Sequence, residues 1–453
     1  MDSFNDCLQR WVQERGRSLA IWSRGENRRL TFSNILENRD RWRRLLPRNE
    51  ALRPVVLATG NSTSFLELLL ALRLDRVPVV LLEPGPSFEH LAQRCESLGV
   101  ARLLHTFEPG DRLGDGVRWS MLDLDAEAEV PTGAEILKVT SGSSGDPAAF
   151  CFGERELLTG IRNIQQGMDL ESSDRVLVTV PLSHSYGFDN GILSLLWIGT
   201  PLILEPDYFP APLLKAMAEG ETTVFPAAPP LVRALAACVW PASSPLRLVI
   251  SAGAPLTAQA AESFHAASRR HVHQFYGSTE TGGIAFETRP GSPEAIGTVG
   301  RPLPGVELAI DARERIWVSS EANRIGRLGQ SDPDFSVVGT GDRGRLRPDG
   351  RLELIGRVGD VLNVGGRKVP AREIERALSR VPGIREVAIV GVDDPGRGDR
   401  IVAFVVGEAS AEELRRLPRF YQPGAVHLLE ALPHTERGKL DRDRLRTLAE
   451  ASE

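Results

Sequence analysis

A chain of 453 residues is too long for one ordinary core and implies about two to four folding units on a prior of roughly 100–200 residues each. Hydrophobic residues at 42% and charged residues at 25% fit a folded, water-soluble protein, and a formal net charge of −6 over 54 basic and 60 acidic side chains leaves no basic footprint for nucleic acid. The four cysteines, Cys7, Cys95, Cys151 and Cys238, are too widely spaced for a zinc site or a disulfide framework, which argues for a reducing cytoplasm.

The first residues, MDSFNDCLQRWVQERGRS, carry charge where a leader needs an apolar run, and they predict an amphipathic helix. No apolar stretch approaches the ~18 residues that a bilayer span requires. From Arg53 the pattern becomes strand, helix, strand: PVVLATG, then Ser64–Leu74, then VPVVLLEPG. Continuously apolar strands of this kind are buried on both faces, as in a parallel sheet covered by helices. Leu91–Leu98 and ARLLHT predict a further helix and strand.

Ile136–Phe150, ILKVTSGSSGDPAAF, reads as a short strand breaking into Ser141-Gly142-Ser143-Ser144-Gly145-Asp146-Pro147. Glycines let the main chain approach a bulky anion, and the hydroxyls of Thr140, Ser141, Ser143 and Ser144 can donate to phosphate oxygens. On its own the segment fits a phosphate cradle or a Ser/Gly-rich surface loop. It is not a Walker A motif, because Gly145 is followed by Asp146-Pro147 rather than Lys and Ser/Thr, and no Rossmann fingerprint is present.

Beyond it Glu154–Met168 has helical spacing, and RVLVTVPLSHSYGF, LSLLWIG and TPLILEP read as strand, short helix and strand. The rhythm continues through TTVFPAAPPLVRALAA, LRLVISAGAPLT and VHQFYGSTETGG, giving two successive α/β sheets over roughly Arg53–Gly283. The Ser/Gly loop, Pro181–Phe188, Ser251–Pro255 and Tyr276–Glu280 all leave strands at the end where ligands collect in such sheets. From about Gly297, short alternating strands and the turn Pro348-Asp349-Gly350 predict a small β unit. An α+β segment follows the Gly-rich run Gly356–Gly366, the expected linker. It comprises a helix over Pro370–Ser379, strands REVAIVGV and RIVAFVVG, an acidic helix start near Ala411, and LLEALPHTERGKLDRDRL.

TSGSSGDP, PLSHSYGF, SAGAPL, FYGSTETG, GTGDRGRLRPDGRLELIGRVGDVLNVGGRKVPAREIE and PHTERGKLDRDRL, in this order, resemble the motifs of the AMP-forming adenylating superfamily: acyl- and aryl-CoA ligases, luciferases and nonribosomal-peptide adenylation domains. The resemblance covers about Val139–Leu445. It implies an α/β fold with a large N-terminal domain of layered sheets plus the small β unit, residues 1–357, and a small mobile α+β C-terminal domain, residues 358–453. It also implies a two-step reaction, in which a carboxylate attacks the α-phosphate of ATP to give an acyl-adenylate and pyrophosphate, and a thiol then displaces AMP.

By this resemblance Thr140, Ser141, Gly142, Ser143, Ser144 and Gly145 would hold the pyrophosphate portion. Thr279 would touch the α-phosphate and Glu280 would ligate Mg²⁺. Gly253, Ala254 and Pro255 would line the adenine, with Tyr276 stacking beside it and Gly277 and Ser278 completing the wall. Asp342 would accept both ribose hydroxyls, Arg357 would reach ribose and phosphate, and Lys439 would bridge the attacking carboxylate and the α-phosphate, neutralising charge where it develops. Gly365, Gly366 and Arg367, with Lys368, would border the thiol arm and its phosphates. His184 would gate the acyl pocket, with Tyr186, Phe188, Gly282 and Gly283 around it. Taken singly, Glu280 and Lys439 also fit solvated charges, Asp342 a turn residue and His184 a structural histidine.

Two positions depart from the pattern. Ala148-Ala149 stand where the family has Lys-Gly, removing a cationic contact to pyrophosphate, and Gly359 occupies the hinge position. The expected cofactors are ATP, Mg²⁺ and CoA, or the phosphopantetheine of an acyl-carrier protein. A carrier-loading ligase and a degenerate adenylate-binding protein are the alternatives to a CoA ligase making aryl or fatty acyl thioesters.

Overall fold

A computed structural model describes residues 3–48, 52–108, 110–124, 126–141, 147–241, 243–330, 335–357, 361–364, 367–381, 383–394, 398–408, 421–435 and 440–451. The chain divides into two compact units, one of residues 1–308 with 318–338 and the other of 309–317 with 339–453.

The first unit holds two large sheets. One has nine strands in the order Arg301–Pro302, Gly282–Phe286, Val272–Ser278, Leu248–Ser251, Val224–Ala227, Val176–Val178, Leu202–Leu204, Leu19–Ser23 and Arg28–Thr31. From Val272–Ser278 to Leu19–Ser23 every neighbouring pair is parallel. The other has eight strands, ordered Gly326–Arg327, Pro147–Phe152, Ile136–Ser141, Val79–Leu81, Val55–Ala58, Arg102–His105, Val117–Met121 and Asp111–Gly114, with a parallel centre. The central strands are buried along their whole length, as their unbroken apolar runs require. Leucines on every side of the helix Thr63–Leu74 match the burial of every residue from Thr63 to Arg73.

The expected N-terminal helix spans Phe4–Arg15. Ser3 and Asp6 close a capping box, so two otherwise orphaned backbone N–H groups are satisfied at its start. The expected Glu154–Met168 helix forms with the predicted bounds. Where LSLLWIG predicted a short helix, an 11-residue π-helix runs from Phe188 to Ile198, a rare wide-turned form. Leu19–Ser23 and Arg28–Thr31 extend the nine-stranded sheet ahead of Arg53, where the sequence pattern placed the first strand.

The second unit carries most of a four-stranded sheet, Glu307–Ile310, Arg315–Ser319, Val337–Leu346 and Leu352–Arg357, which is the expected small β unit. It also carries a five-stranded sheet built on the long antiparallel pair Ile384–Asp394 and Gly398–Gly407, with Val361–Val364 and Arg367–Pro370 on one side. Ala425–Leu428 adds in parallel. Helix Ala371–Leu378, expected over Pro370–Ser379, buries Ile374 and Leu378 against one face of this sheet. Leu445 and Ala449 of helix Arg442–Glu450 cover the other. The helix start expected near Ala411 lies outside the described residues. No described helix is long and apolar enough to cross a membrane.

Candidate active site

Parallel strands put all their C-terminal ends on one edge, and both large sheets use that edge. In the nine-stranded sheet it carries Pro181–Phe188, Ala252–Pro255 and Thr279–Glu280; in the eight-stranded sheet it carries Asn61, Glu83 and Thr140. Side chains stitch the two edges together. Asn61 Nδ2 donates to Val180 O at 3.3 Å, and Leu182 N–H donates back to Asn61 Oδ1 at 2.7 Å. His184 Nε2 donates to Glu83 Oε2 at 3.0 Å. The gate histidine inferred from PLSHSYGF is thus held by a carboxylate from the other sheet.

Strand Ile136–Ser141 pairs antiparallel with Pro147–Phe152, so Thr140 faces Ala148 and Ser141 faces Pro147 across the two ends of the Ser/Gly segment. Gly142, Ser143, Ser144 and Gly145 lie outside the described residues, and Ser141 is described only by its strand position. Lys138 shares the face of Thr140 one strand repeat further back. Its ammonium lies 2.6 Å from Asp189 Oδ1, over the rings of Phe152 and Phe188 at 5.0 and 5.5 Å. The pair is almost fully enclosed, with side-chain exposures of 1% and 8%. Burial pushes the Asp189 carboxyl up and the Lys138 charge opposes it. Because Asp189 occupies it, Lys138 does not replace the cation missing at Ala148.

Tyr276 is buried in the strand Val272–Ser278, with Gly277 and Ser278 at the strand's end. Ser278 Oγ lies 3.0 Å from Thr281 Oγ1, closing the turn that presents Thr279 and Glu280, and the Glu280 carbonyl accepts from Arg324 N–H at 2.9 Å. Gly253, Ala254 and Pro255 follow the buried strand Leu248–Ser251 as half-buried or exposed residues. Tyr186 donates to Ile250 O at 3.1 Å, and its ring meets Phe275 at 5.9 Å. Phe188 is fully buried. Of the two glycines expected at the acyl pocket, Gly282 has φ +70°, and a Cβ there would meet Asp189 Oδ2 at 3.8 Å, an ordinary contact. Gly283 is packed shut: a Cβ there would stand 2.9 Å from Leu303 Cδ1 and Phe275 Cζ and 3.0 Å from Ile164 Cγ1.

In the second unit Asp342 and Arg357, fifteen residues apart in sequence, are direct cross-strand partners. Asp342 N–H donates to Thr340 Oγ1 at 3.1 Å. Arg357 and Arg367 are described only by their strand positions, and Lys439, Gly365 and Gly366 lie outside the described residues. The chain on either side of Lys439 is anchored. His434 bridges Leu440, Asp441 N–H donates to Pro433 O at 2.9 Å, and Arg442 reaches Ile389 O at 2.6 Å and Glu375 at 2.8 Å.

Among the described residues no group of three or more His, Cys, Asp or Glu could hold a metal by itself. A single carboxylate at Glu280 does suit Mg²⁺, which commonly takes one or two carboxylates and fills its shell with substrate phosphates. Burial pushes the thiols of Cys95 and Cys151 up to about 12, which leaves neither as a nucleophile.

Sequence reasoning missed Glu83, Lys138 and Asp189. The signals were a carboxylate two residues past the buried strand Val79–Leu81 and a lysine inside the apolar run ILKVT, since a charge in a buried strand demands a partner.

The class of protein comes from the comparisons: a nucleotide-dependent ligase built on layered α/β sheets. The family model described as "AMP-binding enzyme" matches residues 8–322, and that of the "AMP-binding enzyme C-terminal domain" matches 373–439. The chain belongs to the AMP-binding enzyme family, the AMP-forming adenylating superfamily. It is 29% identical to a salicylyl-CoA synthase / salicylate adenylyltransferase of a Streptomyces species over 97% of this chain and 92% of the relative. It is 28% identical to a feruloyl-CoA synthase of an Amycolatopsis species over 84% of this chain and 85% of the relative. Its fold matches ATP-bound MatB from Rhodopseudomonas palustris with a TM-score of 0.83 at 20% identity, covering 99% of each chain. It is an AMP-forming enzyme of the acyl-CoA synthetase type that uses ATP and CoA, activating a carboxylic acid to its adenylate with release of pyrophosphate and then forming the CoA thioester.

Proposed function

We propose that the acid is an aryl carboxylate, that the thiol acceptor is free CoA, and that the reaction runs in the cytoplasm with Mg²⁺. The observation that carries the reading is the stitched strand edge, where Thr140, His184, Tyr186, Thr279 and Glu280 leave two sheets tied by the Glu83–His184 and Asn61 contacts. Leu303, Phe275 and Ile164 pack closely against Gly283, and the names of the salicylyl and feruloyl relatives favour an aryl acid.

In this reading Thr140, Ser141 and the Ser/Gly segment hold the pyrophosphate, and Thr279 contacts the α-phosphate. Glu280 holds Mg²⁺ with phosphate oxygens, and the ion supplies charge neutralisation on the polyphosphate. Gly253–Pro255, Tyr276, Gly277 and Ser278 form the adenine wall, and Asp342 and Arg357 engage the ribose from adjacent strands. Lys439 neutralises charge as the carboxylate attacks. Gly365, Gly366 and Arg367 serve the CoA arm, in a C-terminal domain that begins after Arg357. Ala148 in place of the family lysine leaves adenylation slower than in relatives that keep it.

Carboxylate-dependent ATP–pyrophosphate exchange over a panel of aryl and fatty acids tests this, followed by offering CoA or a phosphopantetheinylated carrier. Exchange with aryl acids and transfer to CoA are expected. Nucleotide binding without exchange for any acid would leave only an adenylate-binding protein, and transfer to the carrier alone would make it a loading ligase. Lys439→Ala should abolish adenylate formation and spare thioester formation from supplied acyl-adenylate; equal loss of both steps contradicts its role.

A further inference from the structure

The buried pair Lys138–Asp189 has no part in the chemistry above, yet it sits where the two sheet edges join. Asp189 uses Oδ1 for Lys138 at 2.6 Å. Its other oxygen, Oδ2, has no hydrogen-bond partner among the described residues and lies 3.8 Å from where a Cβ on Gly282 would stand. Asp189 is itself 94% buried by its 6% exposure. A buried carboxylate oxygen normally accepts a hydrogen bond, and here the open side of Gly282 is the space from which a donor could come. Ser185 Oγ, Asn190 Oδ1 and Ser251 Oγ are all enclosed without partners among the described residues, on the segments flanking Tyr186 and Ile250.

We propose that Asp189, charge-balanced by Lys138, is a specificity-determining residue whose Oδ2 accepts a hydrogen bond from a hydroxyl or amino group on the acid, so that the enzyme selects donor-bearing aryl acids over their unsubstituted counterparts. This rests on the reading of the site as an aryl-acid ligase. An acid that lacks the donor leaves a desolvated carboxylate oxygen unpaired, whereas an apolar pocket wall would discriminate only weakly. Lys138 supplies the balance without taking the free oxygen, and Gly282, bare of a side chain, leaves room for the donor.

The test is ATP–pyrophosphate exchange by the full-length protein with benzoate, the hydroxy- and aminobenzoates substituted at each ring position, and hexanoate. At least one substituted benzoate should exceed benzoate in kcat/KM by roughly ten- to hundredfold, the range for a hydrogen bond to a charged group. In the variant Lys138→Met/Asp189→Leu, which removes both charges together, that ratio should fall to near one. Exchange by the wild type with no donor preference overturns this proposal and leaves the ligase reading standing. A preference that survives in the double variant also overturns it. No exchange with any acid overturns the ligase reading and this proposal with it. The wild-type series decides even where the double variant fails to fold.

Discussion

Asp189→Ala would leave the Lys138 ammonium enclosed by the rings of Phe152 and Phe188 with its counter-charge gone. Removing one partner of a buried ion pair costs about 3–5 kcal/mol, because the remaining charge can neither reach water nor find a substitute. Lys138→Met strands the carboxylate instead, but a carboxylate can take up a proton. Burial already pushes the Asp189 carboxyl above the usual 3.8, and losing Lys138 removes the influence that opposes this. A group whose folded value is raised binds a proton that the unfolded chain has released, so stability falls as pH rises from the unfolded value through the folded one. Lys138→Met should therefore be less damaging at pH 5 than at pH 8, while Asp189→Ala has no acid of its own to titrate there. The double variant Lys138→Met/Asp189→Leu replaces the pair by apolar volume and should lie within about 2 kcal/mol of the wild type, giving a coupling of several kcal/mol. Urea unfolding followed by circular dichroism at both pH values measures the cycle. Additive single effects, or either single variant within about 1 kcal/mol of the wild type, would refute the reasoning.

Glu83→Ala should release His184 and raise the KM for the acid roughly threefold to tenfold with the KM for ATP unchanged, whereas Glu83→Gln, which still offers an acceptor, should recover most of the loss in steady-state assays. Gly283→Ala forces a methyl group against Leu303, Phe275 and Ile164 and should cost about 1–3 kcal/mol in thermal or urea unfolding. Burial pushes the Asp174 carboxyl up, but bonds from Arg247, Glu171 N–H and Thr223 outweigh it and hold the group below 3.8. Its contribution is present above that value and lost as pH falls through the lowered one, so Asp174→Asn should flatten the loss of melting temperature below about pH 4.

The strand Val55–Ala58 and the helix Thr63–Leu74 were legible because burial on nearly all sides leaves its mark in consecutive residues, and Glu154–Met168 because one buried face recurs at helical spacing. Leu19–Ser23 and Arg28–Thr31 were not: Arg28–Thr31 is a short, mostly polar edge strand, and Leu19–Ser23 is a five-residue run that joins the sheet by pairing with Leu202–Leu204, far away in sequence. The motif residues along the strand ends were legible because each chemistry keeps its residue types together in sequence. His184 was found that way, but its partner Glu83 lies 101 residues earlier, and Asp189 lies 51 residues from Lys138. Such pairs exist only once the two sheets are stacked. The width of the turns in Phe188–Ile198 was equally invisible, since its apolar residues suit an α-helix as well.

Asp342 and Arg357 face one another because of a turn that touches neither. Arg347 donates to Arg351 O at 2.8 Å and Gly350 to Arg347 O at 2.9 Å, closing Pro348-Asp349-Gly350 and setting how the two strands align. A bulge between Arg343 and Gly344 then shifts the count once more before the pair is reached. Side chains alternate faces along a strand, so inserting or deleting one residue in that turn would send Asp342 and Arg357 to opposite sides of the sheet while leaving both in the sequence. A relative could exchange nearly every side chain of this hairpin and keep the pair, but could not change its length by one without a compensating bulge.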